Sequence, residues 1–370
     1  MDSLAQIPDG VRYHCGAEAR LRRAVEDVAM AVFGGWSYEE IATPSIDYFA
    51  LFERGMGHGE AQRSFRFTDS DGRLLALRPD VTSSVARAAA TLFARRERPL
   101  RLCYAAPVFR QRPRSHAEWR REQTQLGCEL IGGDGGADAD VEILVIAAEI
   151  LEKLGLLDQC RITLNHVGFF NGVAEQLGLD AMAREEARRL IDVRDGSELE
   201  RFLRGRVPDA LASSDLKRLT RLNGGQPVLD EARRFASEGN SAALALDALA
   251  RLWHTLETIG LHDGFEIDLA DVAELDYYTG LICKIYVAGA GTRVGGGGRY
   301  DDLTANFGRR EPATGFVLNL DALTGVLART DFAHARNNNG VMTNIGAGES
   351  SARFREAKSR RTVGEQIKLL

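Results

Sequence analysis

Between Thr124 and Ile131 the chain alternates in character: Gln125, Gly127 and Glu129 fall on one face of an extended segment, and Leu126, Cys128 and Leu130 on the other. The apolar face of such a strand must be buried. The other face is either open to solvent or the wall of a polar pocket, and composition alone favours solvent. A fold that accepts this strand must therefore treat the two sides of a sheet differently.

The chain has 370 residues, which predicts more than one compact unit. Hydrophobic residues make up 44% and charged residues 27%, which excludes a largely disordered chain. No apolar run approaches the roughly 20 residues that cross a bilayer, and Met1-Asp2-Ser3-Leu4 lacks the pattern of a secretory leader. Cys15, Cys103, Cys128, Cys160 and Cys283 are scattered and form no CxxC pair. That predicts a reducing, cytoplasmic setting, with neither a disulfide framework nor a metal site. A net charge of −6 is a mild argument against nucleic-acid binding.

Helical spacing of Leu21, Val25, Val28 and Val32 predicts an amphipathic helix over 17–33, stopped at Gly34-Gly35. Strands are expected at 41–44, 74–77, 102–109, 124–131, 162–165 and 277–287. A helix is expected from Ser83 to Phe93. Asp138 or Asp140 is expected to cap the helix running through Ile150 and Leu154. A helical insertion is expected over roughly 171–261, a turn at Gly295 to Gly298, and a helix starting near Ala313. Together these describe an α+β core over 1–327, followed by a short polar tail over 328–370.

Several segments carry possible chemistry. Arg78-Pro79-Asp80-Val81-Thr82 joins a strand to a helix; Asp80 or Thr82 could cap that helix, or Asp80 could face a ligand ammonium. Arg110 ends an apolar strand and either emerges into solvent or holds a carboxylate or phosphate. Nine arginines lie between Arg95 and Arg121, either a solvated face or a contact for an anionic partner. Tyr277 and Tyr278, adjacent on a strand, point opposite ways, so one hydroxyl could enter a pocket. No phosphate loop, dinucleotide fingerprint, serine nucleophile elbow or metal-spaced histidine is present, and no cofactor is implied.

In order, these segments resemble the catalytic core of histidyl-tRNA synthetase, a class II aminoacyl-tRNA synthetase, over about the first 325 residues. The resemblance is carried by the Pro44 region, Arg78 to Thr82, Phe109-Arg110 through Glu129, Leu275 to Gly280, Gly297 to Asp301, and Pro312 to Phe316. It implies an antiparallel six-stranded sheet flanked by helices, in a dimer, and a histidine pocket. Asp80, where the synthetase pattern has glutamate, would pair with the α-ammonium, assisted by Thr82. Arg110 would face the carboxylate, and Gln125 would support the amino-acid end. Glu129 and Tyr278 would hydrogen-bond the two imidazole nitrogens, between walls formed by Tyr277 and Tyr300.

The departures from the synthetase pattern bear on function. Arginines of the pattern are replaced by Ala273 and Ala322, and the adenine-contacting glutamate by Arg112. Each lost donor of this kind typically removes about 3 kcal/mol of transition-state stabilisation. Roughly 45 residues follow the last motif, too few for an anticodon-binding domain. This combination resembles the regulatory paralogue of ATP phosphoribosyltransferase. That family implies a short-form catalytic subunit as partner, a homodimer within a hetero-octamer, and histidine as effector. The alternative expectation is a truncated or divergent histidyl-tRNA synthetase. A free-standing tRNA-binding or stress-sensing module is a third, less favoured by the net acidity.

Overall fold

The computed structural model describes residues 6–112, 120–204, 206–207, 217–272, 278–330, 332, 342–345, 350–362 and 366–369. The described helices are α1 (Gly16–Gly35), α2 (Phe49–Met56), α3 (His58–Ala61), α4 (Thr82–Ala90), α5 (Ala137–Lys153), α6 (Val167–Gln176), α7 (Ala181–Asp192), α8 (Gly196–Leu203), α9 (Gln226–Ala232), α10 (Ser241–Thr258), α11 (Leu320–Leu327) and α12 (Ser350–Thr362). The strands are β1 (Glu39–Glu40), β2 (Ile46–Tyr48), β3 (Arg66–Thr68), β4 (Leu74–Leu77), β5 (Leu100–Phe109), β6 (Glu122–Ile131), β7 (Cys160–His166), β8 (Asn223–Gly224), β9 (Phe265–Asp268), β10 (Leu281–Val287), β11 (Gly295–Arg299), β12 (Ala313–Asn319), β13 (Met342–Ile345) and β14 (Gln366–Leu369).

One sheet organises the chain, in the order β1-β5-β6-β12-β11-β10-β7-β9-β8. From β5 to β7 all neighbours are antiparallel. β1 joins β5, and β9 joins β7, in parallel. The expected six-stranded antiparallel sheet is thus corrected to nine strands of mixed direction. The additions are short: β1 and β8 span two residues each, below the length at which alternation becomes visible.

The sheet's two faces differ, as the alternation in β6 requires. Leu126 and Cys128 join Leu21, Val25 and Phe33 of α1 and Ile143, Ile146 and Ile150 of α5 in the main core. The same core takes Leu190 and Ile191 of α7, Leu246 and Leu249 of α10, and Leu323 and Leu327 of α11. The region expected as a helical insertion therefore shares its core with the sheet, and its β8 extends the sheet edge. On the opposite face, Val81, Val85 and Ala89 of the α4 segment pack against Leu100, Leu102 and Tyr104 of β5. This cover lies over β5, and the cleft described below opens beside it over β6, β12, β11 and β10.

Other expectations shift. Gly295 to Gly298 is not a turn but most of β11, hydrogen-bonded between β10 and β12. Ala313 begins a strand, and the helix starts at Leu320. The strand placed at 41–44 is replaced by β1 before it and β2 after it. Asp138 and Asp140 sit in the first turn of α5, but Gly136 is the capping position and no side chain caps it. Asp140 is engaged elsewhere: Arg299 donates to both its oxygens, from Nε at 3.1 Å and Nη2 at 3.0 Å. The tail contains α12 and a parallel pairing of β13 with β14.

Candidate functional site

A cleft of about 130 Å³ opens on the face of the sheet away from α1 and α5. Its floor is β6, β12, β11 and β10, and its near wall is the turn leading into α4. Of the eight residues expected in the histidine pocket, seven line it: Asp80, Thr82, Arg110, Gln125, Glu129, Tyr278 and Tyr300. Tyr277, with Ala273 and Glu274, lies outside the described residues. The alternation in β6 thus resolves in favour of a pocket.

The near wall is built by Arg78, which sequence reading treated only as part of a turn. The residue is 3% exposed, and its guanidinium donates to the carbonyl oxygens of Pro107 and Thr43, each at 2.6 Å. It ties the turn to the end of β5 and to the segment after β1. Asp80 is held there with Oδ1 accepting from the Ser83 amide at 3.1 Å and the Ser83 hydroxyl at 2.8 Å. Burial raises its pKa, opposed by these hydrogen bonds and by the Arg110 charge. A carboxylate and a guanidinium thus stand at one end of the cleft, the pairing that an α-ammonium and α-carboxylate require.

Glu129 lies deeper, 1% exposed. Oε1 accepts from Thr82 Oγ1 at 2.8 Å and Tyr104 Oη at 2.9 Å, while Oε2 accepts from Tyr300 Oη. Burial pushes the Glu129 carboxyl up to about 8, against the lowering effect of its three hydroxyl donors. Two glycines make room. A Cβ on Gly315 of β12 would stand 1.9 Å from Glu129 Oε2, and one on Gly127 would stand 2.6 Å from the Tyr104 ring. Thr82, expected beside Asp80 at the amino-acid end, donates here to Glu129. Tyr300, expected as a wall, is also a donor.

Tyr104 escaped sequence reading because it sits in an apolar strand; the only signal was Gly127, its register partner across β6. The far wall was missed as well. Lys284 and Arg293 line the cleft there. Lys284 is paired with Asp271 and lies 3.9 Å from Asp192, the last residue of α7. Just past the end of β12, Asp321, next to Ala322, accepts from Arg22 at 2.8 Å and Arg120 at 2.6 Å, in a neighbouring pocket that shares Gln123 with the cleft. Within the arginine run, Arg98, Arg101 and Arg120 form ion pairs with Glu311, Glu142 and Asp321, and Arg96 with Glu39 at the surface. Among the described residues no group of three or more His, Cys, Asp or Glu could hold a metal ion.

Residues 10–323 match the family model described as histidyl-tRNA synthetase. The ATP phosphoribosyltransferase regulatory subunit of Moorella thermoacetica is 38% identical over 365 residues, 98% of this chain and 92% of the relative. That of Symbiobacterium thermophilum is 39% identical, covering 86% of this chain and 79% of the relative. Among solved structures, the ATP phosphoribosyltransferase regulatory subunit/histidyl-tRNA synthetase of Bacillus halodurans superposes with a TM-score of 0.85 at 27% identity, over 98% of this chain and 92% of that one. The histidyl-tRNA synthetase of Nostoc has a TM-score of 0.80 at 19% identity, over 99% and 85% of the two chains, a likeness of fold. With the sheet, the cleft and these relatives in agreement, the chain belongs to the histidyl-tRNA synthetase-like family, in the branch of ATP phosphoribosyltransferase regulatory subunits.

Proposed function

We propose that this chain is a non-catalytic subunit that activates a short-form ATP phosphoribosyltransferase in the cytoplasm, at the first step of histidine biosynthesis, and confers feedback inhibition by histidine. The observation that carries the effector is the arrangement of the cleft: Asp80 and Arg110 at one end, and Glu129 with Tyr278 within reach of a polar ring. A zwitterionic amino acid with a nitrogen-bearing ring complements both ends. Homodimers within a hetero-octamer are the assembly we expect.

The catalytic role of a synthetase is set aside because Ala322 and Arg112 stand where the adenylating pattern has arginine and glutamate. The guanidiniums beside Ala322, those of Arg22 and Arg120, are committed to Asp321 in the neighbouring pocket. Arg110 and Arg293, which do line the cleft, are the specific feature favouring the synthetase reading. Two assays separate them. The chain should co-purify with a short-form catalytic subunit and stimulate phosphoribosyl transfer. Alone, it should give no histidine-dependent ATP–pyrophosphate exchange. Robust exchange without stimulation would reverse the assignment.

A further inference from the structure

We infer that the cleft binds its ligand with a single proton held between Glu129 and the ligand ring, given up by Glu129 when the ring arrives neutral. The inference rests on histidine being the ligand. The geometry is the cage around Glu129. A carboxylate offers about four lone-pair sites. Three are used by the hydroxyls of Thr82, Tyr104 and Tyr300, all uncharged donors. Among the described residues one site on Oε2 is left, and toward a ring an ionised Glu129 can only accept.

The groups facing this carboxyl can be named by element. The turn into α4 contributes Asp80, whose charge disfavours a second anion. Tyr104 comes from β5, Tyr300 follows β11, and β12 presents Gly315. Arg110 and Tyr278 line the same cleft, Arg110 on the side of Asp80. On β6 itself Cys128 points to the other face, into the main core. Before ligand binds, the carboxyl, pushed up to about 8 by burial, is mostly protonated at neutral pH.

The proton balance follows. At pH 7.5 a free histidine ring is mostly neutral and Glu129 mostly protonated, so the bound pair already has its one proton and exchanges almost none with solvent. At pH 5.5 both partners arrive protonated, and one proton must leave. By linkage, histidine binds roughly ten-fold more weakly at pH 5.5 than at pH 7.5. A Glu129 ionised in the empty cleft would give the reverse: no release at pH 5.5, uptake of nearly one proton at pH 7.5, and tighter binding in acid.

Titration calorimetry of the full chain with histidine at both pH values, in buffers of different ionisation enthalpy, reads the proton count directly. Release of close to one proton at pH 5.5, near none at pH 7.5, and weaker binding in acid, with the release lost in Glu129→Gln, support the inference; the opposite signs, or a release that persists in Glu129→Gln and so belongs to Asp80, overturn it while leaving histidine as the ligand. Absence of binding at both pH values overturns the histidine reading and this inference with it. Tyr104 is a positioning residue here. Tyr104→Phe, which removes one donor to the ionised carboxylate and keeps the ring, should weaken binding about ten-fold at both pH values with the proton count unchanged. Unaltered affinity would exclude Tyr104 from that role.

Discussion

A carboxyl withdrawn from water is costly unless hydrogen bonds replace its hydration, and Glu129 receives three from neighbouring hydroxyls. So elaborate a cage around one side chain makes it the residue on which recognition should depend. Glu129→Ala is expected to weaken histidine binding by at least ten-fold, measured by calorimetry, while the variant melts within a few degrees of the parent. Gly315→Ala is a sharper test of the floor. Its Cβ would meet Oε2 at 1.9 Å and the Cys128 carbonyl at 2.5 Å, so Glu129 must swing out of place. Histidine binding should be lost, with a lowered melting temperature; unchanged affinity would mean that Glu129 does not contact the ligand.

At the scale of elements, buried ion pairs join pieces of the fold that are distant in sequence. Arg299 at the end of β11 clasps Asp140 in the first turn of α5, both largely buried. Asp140→Ala leaves the Arg299 charge without its main partner and should cost about 3 kcal/mol, read as a fall in thermal stability. This pairing was not legible in the sequence, where Asp140 looked like a helix cap, because tertiary partners outbid local capping. The glycine strand β11 was hidden for a related reason. Glycine carries turn propensity and no packing signal, and only the ladders to β10 and β12 reveal a strand. By contrast, the alternation of Gln125, Gly127 and Glu129 placed those residues on one face correctly, since period-two patterning depends on no neighbour. Seven of the residues that line the cleft were named through the family resemblance, whereas Lys284 gave no local cue and Tyr104 only the glycine opposite it.

For the whole molecule, the proposed feedback requires that occupancy of the cleft be felt by a partner subunit, through a difference in histidine affinity between active and inactive assemblies. A ten-fold difference corresponds to about 1.4 kcal/mol of coupling. The far wall offers a physical link: Lys284 lines the cleft, pairs with Asp271 and approaches Asp192 of α7. Asp192→Asn, which alters this link outside the cleft lining, should leave histidine binding within about three-fold of the parent while reducing the inhibition that histidine exerts on the assembled enzyme. Equal inhibition in parent and variant would exclude that route. The central claim is tested most directly by phosphoribosyl transfer in the reconstituted complex as histidine is raised, with the parent chain and with Glu129→Ala. The account predicts that both chains stimulate the catalytic subunit and that only the parent complex is inhibited by histidine; equal inhibition of both, or no stimulation by either, would contradict it.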